Sequence, residues 1–409
     1  MRALILAGLA ILPAAAQTIT LAELERRALE RNPAIGQAKA AVRAAAGRAK
    51  QAGLYPNPVL FAVGEEIAGG PIIRGGEIGG GFEQRVVTAG KLGLDRKTAQ
   101  QEERVFEAAA AGEKLRLLTT VRSLYYQALG EQRLIEVRTE LAALARRAVE
   151  TSRELANVGQ ADRPDVLAME IEAERIELDL VMARHARERT WRQLAAAVND
   201  SGLQPAPLAG ELEKPPQIEM TKALEAIFEG SPELHAASAN VSRAEFAEKR
   251  ARVEKIPDVV FAGGVRNNRE LLNPGESPVG TEGFFTIGAS IPIFNRNQGG
   301  VAAARAELER ARLGENRARL SLRNRLAAVY KEYQDAMAAA VRYKSSMIPK
   351  ASEAYQLYSN NVRQMAAAYP QALITQRNLF QLQDDYIKVL VVAWQRAVEI
   401  QGLLTEDMP

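Results

Sequence analysis

The sequence predicts a mainly α protein with a small β part: tandem-repeat long coiled-coil helical hairpins plus four membrane strands. Three observations predict it. The segments 90–158 and 300–361 carry apolar residues at alternating spacings of three and four, the mark of a coiled-coil seam. Four shorter runs with strand character flank polar, Gly-containing loops. The order of helices and strands in the first half returns in the second.

Composition narrows the chemistry before any motif is read. With 47% hydrophobic and 25% charged residues, the 409-residue chain has globular values that exclude bulk disorder. Lys plus Arg number 53 against 50 Asp plus Glu, and a formal charge of +3 leaves no nucleic-acid footprint. There is no cysteine, which removes disulfides, thiolate metal sites and cysteine nucleophiles. Two histidines, His185 and His235, cannot build a histidine metal cage.

The N-terminus reads Arg2, an apolar run from Ala3 to Leu12, then Pro13-Ala14-Ala15-Ala16, so residues 1–16 have the parts of a cleaved secretory signal peptide. No cysteine follows it to carry a lipid, so a lipoprotein is not expected. The longest later apolar stretch, Val389 to Trp394, is far below the ~20 residues of a spanning helix.

The first repeat is expected over 17–199 and the second over 218–404, with a Pro-rich linker at 200–217 and a tail at 405–409. Asn32-Pro33-Ala34-Ile35 returns as Ser231-Pro232-Glu233-Leu234, an offset of 199. Leu117, Val121, Leu124 and Tyr125 return as Leu322, Leu326, Val329 and Tyr330 at 205, and Pro164 returns as Pro370 at 206. Each half opens on an Ala-rich helix, near 21–50 and 222–253. A strand pair follows, within 57–87 and 258–294, and then a helical hairpin, 90–199 and 300–404. The first long helix would be ~100 Å at 1.5 Å per residue. Its seam is Leu134, Val137, Leu141, Leu144 and Ala148; that of the second is Leu322, Leu326, Val329, Tyr333, Ala336 and Ala340, with a kink expected at Pro349. Pro164 and Pro370 suit the first turn of each returning helix.

The strand runs have the length of tilted membrane strands. In the last, Phe285, Ile287, Ala289 and Ile291 face away from Phe284, Thr286, Gly288 and Ser290; in the second, Glu83 and Arg85 oppose Phe82, Gln84 and Val86. A four-stranded sheet packed on the helices outside any membrane is the competing arrangement. Four strands cannot close, and open edges cannot sit in hydrocarbon, so a membrane barrel would be shared between copies.

These features resemble the TolC-type outer-membrane efflux proteins along essentially the whole mature chain. Gly159-Gln160-Ala161-Asp162-Arg163-Pro164-Asp165-Val166-Leu167 is similar to the family's turn motif. That form, with Glu170 and Glu172 after it and with Gly81-Phe82-Glu83-Gln84-Arg85 leading to Gly90-Lys91, is most similar to the CzcC, heavy-metal efflux, branch. The resemblance implies a homotrimer with a 12-stranded barrel in outer-membrane lipid, continued by an α-helical barrel in the periplasm of a Gram-negative cell. It implies a passive exit duct of a tripartite pump, partnered by a periplasmic adaptor and an inner-membrane RND-type pump. Heavy-metal cations are the expected cargo, with drugs or secreted proteins as the alternative. A periplasmic coiled-coil adaptor would show one hairpin between β domains, not two in tandem.

By the same resemblance the adaptor-contact tip is Val158, Gly159 and Gln160, with Met365 in the second turn. A Tyr and an Arg that close the tip in some relatives are replaced here by Val362 and Ala367. Glu83 and Asp165 are the candidate acidic groups of lumen and aperture, since carboxylate rings favour cations. No enzyme is expected, and no cofactor. Gly90-Lys91 lacks the rest of a phosphate loop, and Gly79-Gly80-Gly81 lacks dinucleotide spacing and reads as a small-residue strand. Glu65-Glu66 and Asp384-Asp385 read as solvated pairs; on a helix the neighbours Asp384 and Asp385 diverge by about 100° and do not converge. His185 lies on a charged helical face. N-terminal sequencing of the exported protein should begin at Gln17; a membrane-fraction chain retaining Arg2 would overturn the signal-peptide assignment.

Overall fold

The computed structural model describes residues 18–66, 76–159, 162–270, 275, 277–363 and 369–404. The expected signal peptide, the strand-connecting loop tips near 69–71 and 273–274, and the tail lie outside them. The elements run α1 (Leu21–Arg31), α2 (Pro33–Ala52), β1 (Val59–Glu65), β2 (Glu77–Val86), α3 (Lys91–Asn157) and α4 (Arg163–Ala197). They continue as α5 (Met220–Gly230), α6 (Pro232–Val253), β3 (Val259–Asn268), β4 (Gly280–Ala289), α7 (Gln298–Arg342), a π-helical turn (Tyr343–Met347), α8 (Ile348–Arg363) and α9 (Tyr369–Gln401). Among the described residues no helix is long and apolar enough to cross a membrane.

Prolines set several boundaries. Pro33 and Pro232 open α2 and α6, and Pro164 stands in the first turn of α4, where an N–H is not needed. The strands are shifted from expectation. β1 starts after Pro58, which has no N–H for the ladder, and β4 starts at Gly280 and stops before Pro292, leaving Ile291 outside the sheet.

Beside Pro349, where a kink is expected, the helix takes a π-helical turn. Ile348 N–H donates to Tyr343 O, five residues back, so the helix gains one residue just where the proline cannot donate.

The chain divides into two compact units, each drawing segments from both halves. Unit 1 comprises residues up to 37, 111–231 and 320 onward. Its core joins Leu24 and Ala28 of α1, Val121, Tyr125 and Ala128 of α3, Trp191 and Leu194 of α4, and Leu390 of α9. The α7 seam is buried as expected, with Leu322 and Leu326 fully enclosed. In α3 the expected seam is buried at Ala148 and packs on the core through Leu134 and Val137, while Ala142, Ala145 and Val149, each one residue off it, are buried as well.

The Pro-rich segment is strapped down rather than a free linker. Leu208 N–H donates to Gln132, Trp394 Nε1 to Leu212 O at 2.8 Å, and the Tyr125 hydroxyl to Ala209 O. Tyr125 also reaches Ile19 O at 3.4 Å, and Tyr330 reaches Ile218 O at 3.2 Å. The same tyrosine thus holds the entry segment of each half.

Unit 2 comprises residues 38–110 and 232–319. It holds the sheet, in the order β1-β2-β3-β4 with every pair antiparallel. Cross-helix ion pairs such as Arg250–Asp95 and Arg312–Glu245 accompany it.

One buried carboxyl in unit 1 is perturbed. Glu131, 9% exposed, accepts from Thr190 Oγ1 at 2.8 Å and from Gln127 Nε2, while its Oε2 has no partner. Burial pushes its pKa above the usual carboxylate range, against the hydrogen bonds from Thr190 and Gln127. A raised value in the folded state favours folding at acid pH, and that contribution is lost as pH rises through it. Thermal unfolding should therefore show a larger loss between pH 5 and pH 8 in the wild type than in Glu131→Gln; equal losses would contradict the assignment.

Candidate functional site

The register decides which strand residues share a face, because side chains alternate along each strand. Glu65 pairs with Glu77, Glu77 with Asn268, Glu83 with Ala262, Arg85 with Val260, and Arg266 with Glu282. All the charged residues of the sheet therefore stand on one face: Glu65, Glu77, Glu83, Glu282, Arg85 and Arg266. The opposite face carries Leu60, Ile78, Phe82, Val86, Phe261, Val265, Phe285 and Ile287, and no charge. That apolar face is open, with Leu60 83% and Phe285 68% exposed. β1 and β4 each pair on one side only, so both edges of the sheet are free.

On the charged face the glycine run has a packing reason. The register lines up Phe61, Gly81, Gly264 and Phe284 across the four strands. The two rings lie 6.0 Å apart, and a Cβ at Gly81 or Gly264 would stand 2.9 Å from one of them. Only glycine lets the edge-strand rings fold flat across the sheet.

At the loop end of the strands Arg266 meets Glu77 at 2.5 Å, Glu282 at 3.3 Å and Glu65 at 3.4 Å. Asn268 Nδ2 donates to Glu77 Oε1 at 2.8 Å. Glu65 is therefore ion-paired rather than simply solvated. At the helix end Asp258, just before β3, accepts from Lys91 Nζ at 2.7 Å, Arg85 Nη2 at 2.7 Å and Thr88 N–H at 3.1 Å. Lys91 is 4% exposed and also donates to Ile256 O. Gly90, at φ +67°, swings the chain so that Lys91 enters the helix pointing at this carboxylate. Desolvation alone would raise the Asp258 pKa, but the bonds from Lys91, Thr88 and Arg85 outweigh it and bring it down to about 2. The Gly90-Lys91 landmark is thus a clamp between the start of α3 and the start of β3. It was missed in the sequence because its acidic partner lies 167 residues away.

The tip residues are placed in part. Val158 is 68% exposed, and Gly159 ends the helix at φ +74° with open space around its Cβ position, as a helix-terminating glycine should. Gln160, Met365 and Ala367 lie outside the described residues, as does the side chain of Val362. Asp165 is exposed in the first turn of α4, where the helix dipole favours a carboxylate. Glu83 is exposed on the charged face of the sheet.

Asp384 corrects an expectation. Its side chain is only 13% exposed and is ion-paired to Arg138 of α3, whereas Asp385 turns to Gln381 and Lys388. His185 is exposed on the charged face of α4, as expected. Among the described residues no cluster of three metal-ligating side chains occurs.

The Asp258 clamp has a measurable consequence. A depressed carboxyl value stabilises the fold above the ordinary carboxylate range, and that stability is lost as pH falls toward 2. Asp258→Asn leaves the Lys91 ammonium buried without its counterion, at a cost on the order of 3 kcal/mol. The variant should unfold at lower denaturant than wild type at pH 7, and the gap should close in acid.

Residues 223–404 match the outer membrane efflux protein family. The cobalt-zinc-cadmium resistance protein CzcC of Cupriavidus metallidurans is 24% identical over 315 residues, covering 77% of this chain and 74% of that protein. Among solved structures, the outer membrane protein VceC of Vibrio cholerae superposes with a TM-score of 0.76 at 17% identity, covering 94% of this chain and 95% of that one. CusC, a transmembrane channel, gives 0.79 at 15% identity, with 94% and 91% covered. The second half of this chain is therefore similar to the outer membrane efflux protein family, and the chain as a whole has the fold of the solved outer-membrane channels.

Proposed function

We propose that the protein is the passive exit duct of a tripartite efflux pump. Three copies would close a 12-stranded barrel in the outer membrane, with the helices forming a tunnel on its periplasmic side. The observation that carries this is the sheet, whose faces are sorted into charged and charge-free and whose two edges are free. Hydrocarbon suits the charge-free face, water suits the other, and neighbouring copies satisfy the edges.

The helices support the same assembly. On α4, Met169, Ala173, Ile176, Leu180 and Ala183 form one seam, spaced 4, 3, 4, 3, and turned into unit 1. Leu167, Ile171, Glu174, Leu178 and Val181 form a second, spaced 4, 3, 4, 3, and are exposed. The two are offset by two residues, about 200° around the helix. A helix with seams on opposite sides is built for a wall one helix thick, with a neighbour on each flank. Native mass spectrometry in detergent should find trimers; monomers alone would remove the proposal.

Heavy-metal cations are the proposed cargo, supported by the likeness to CzcC and by four carboxylates against two guanidiniums on the charged face. Such a bore favours cations modestly. In planar bilayers under a KCl gradient, Glu83→Gln with Glu282→Gln, which leaves two carboxylates against two guanidiniums, should move the reversal potential toward zero. Metal sensitivity of a deletion strain tests the cargo itself; unchanged tolerance with increased drug sensitivity would favour a drug duct.

The turn at Val158, Gly159 and Gln160, with Met365 in the second hairpin, is the proposed contact for the adaptor and, through it, an RND-type pump. At φ +74° any side chain at Gly159 costs about 1 kcal/mol, with asparagine and aspartate the best tolerated. Gly159→Asn and Gly159→Asp should both give normal trimer yield. Efflux should fall sharply in the aspartate variant, whose charge faces the partner; normal trimer with normal efflux in both would move the contact elsewhere.

A further inference from the structure

Arg266 stands on β3, and its guanidinium meets one carboxylate from each of the other three strands: Glu65 of β1, Glu77 of β2 and Glu282 of β4. To reach β1 the side chain must cross β2, and the register lines up Val63, Gly79, Arg266 and Glu282 across the sheet. A Cβ at Gly79 would stand 2.6 Å from the Cα and Cβ of Arg266, so glycine is what opens this route.

Three carboxylates against one guanidinium leave a formal sum of −2 at the loop end of the sheet. Glu77 is the most enclosed of the three, its side chain 11% exposed. Its Oε1 accepts from the Asn268 amide, while its Oε2 faces Arg266 and accepts no hydrogen bond. Carboxylate oxygens that converge in this way are the ligands of a hard divalent cation, with water completing its shell. The space between them is filled instead by a guanidinium, a positive charge that does not lose its proton.

We propose that Arg266 is a specificity-determining residue of the duct: it occupies the centre of a three-carboxylate group that would otherwise hold divalent cations. This rests on the duct reading only in taking the charged face as the lining of the path. A conduit for cations has to favour their entry without retaining them, since binding that is too strong stops conduction. The guanidinium meets both needs. It leaves the net charge negative, and it denies an ion the position from which all three carboxylates could coordinate it. The flat fork of arginine reaches three partners at once, which a single ammonium does less well.

The test uses the full chain purified in detergent, with Ca²⁺ as the probe because it prefers oxygen ligands and leaves His185 and His235 aside. Arg266→Gln, which removes the charge and keeps a polar side chain, should bind Ca²⁺ with a Kd of about 10⁻⁴–10⁻³ M, the range of extracellular calcium modules. Wild type and Arg266→Lys should bind at least tenfold more weakly, and adding Glu282→Gln to Arg266→Gln should undo the gain. Without Ca²⁺, Arg266→Gln should unfold at a lower midpoint than wild type, and Ca²⁺ should restore it. A residue that only ties strands together would give a loss that Ca²⁺ does not correct. If Arg266→Gln assembles poorly, Ca²⁺ present during purification should recover the trimer. Equal Ca²⁺ affinity in wild type and Arg266→Gln, or a midpoint or assembly that Ca²⁺ does not restore, would overturn the proposal. In planar bilayers Ca²⁺ should block the current of Arg266→Gln and leave that of wild type open. Binding without block would leave the Arg266 assignment standing and remove the charged face from the conducting path, so the two readings fail separately.

Discussion

A sheet with two unpaired edges and one charge-free face is stable alone in neither water nor lipid. In water, Leu60, Phe82, Phe285 and Ile287 would form an exposed apolar patch, the usual precursor of aggregation. In hydrocarbon the apolar face is at home, but the unpaired groups along β1 and β4 would each cost several kcal/mol. Hydrocarbon against the apolar face together with further copies of the same sheet along the edges would remove both penalties. The remaining features of the chain are consistent with that requirement: charges sorted to one face, glycines that let rings lie flat, and an α4 seam facing outward.

The sheet must also be joined firmly to the helices of its own unit. The Asp258 clamp does this with unlike elements, since its carboxylate belongs to the start of β3, Lys91 to the start of α3 and Arg85 to the end of β2. Such a pair, largely hidden from solvent, gains little over a hydrophobic alternative but is costly to break, so its value is geometric. It fixes the position at which the first long helix leaves the sheet. Gly90 makes the approach possible, because its positive φ turns the chain back toward the strand.

Much of this was legible in the sequence. Within each strand, alternation set Glu83 and Arg85 against Phe82, and Phe285 and Ile287 against Phe284, and the register agrees; only the register puts Phe82, Phe285 and Ile287 on one face. Prolines marked the starts of α2, α4 and α6 because their constraint is local. What was not legible depends on distant partners. Arg138 meets Asp384 from 246 residues away, so Asp384 read as solvated. Arg266 gathers Glu65, Glu77 and Glu282 through register alone. The restraints on the linker were not legible either: Tyr125 and Trp394 donate to its carbonyls, Leu208 N–H donates to Gln132, and no local pattern signals these bonds.

The π-helical turn shows a sequence signal that was present but unread. Between the landmarks Leu117 and Pro164 and their counterparts Leu322 and Pro370, the repeat offset grows from 205 to 206. The second half therefore holds one extra residue in this interval. It is not in the turn, because five residues separate α3 from α4 and five separate α8 from α9. It must lie in the helix, where a whole extra residue would rotate every later seam position by about 100°. The five-residue bond from Ile348 to Tyr343 absorbs it locally, and Pro349, which has no N–H to contribute, sits beside the widened turn at little cost. A one-residue drift in a repeat offset within a continuous helix is thus itself the signature of a π-helical turn.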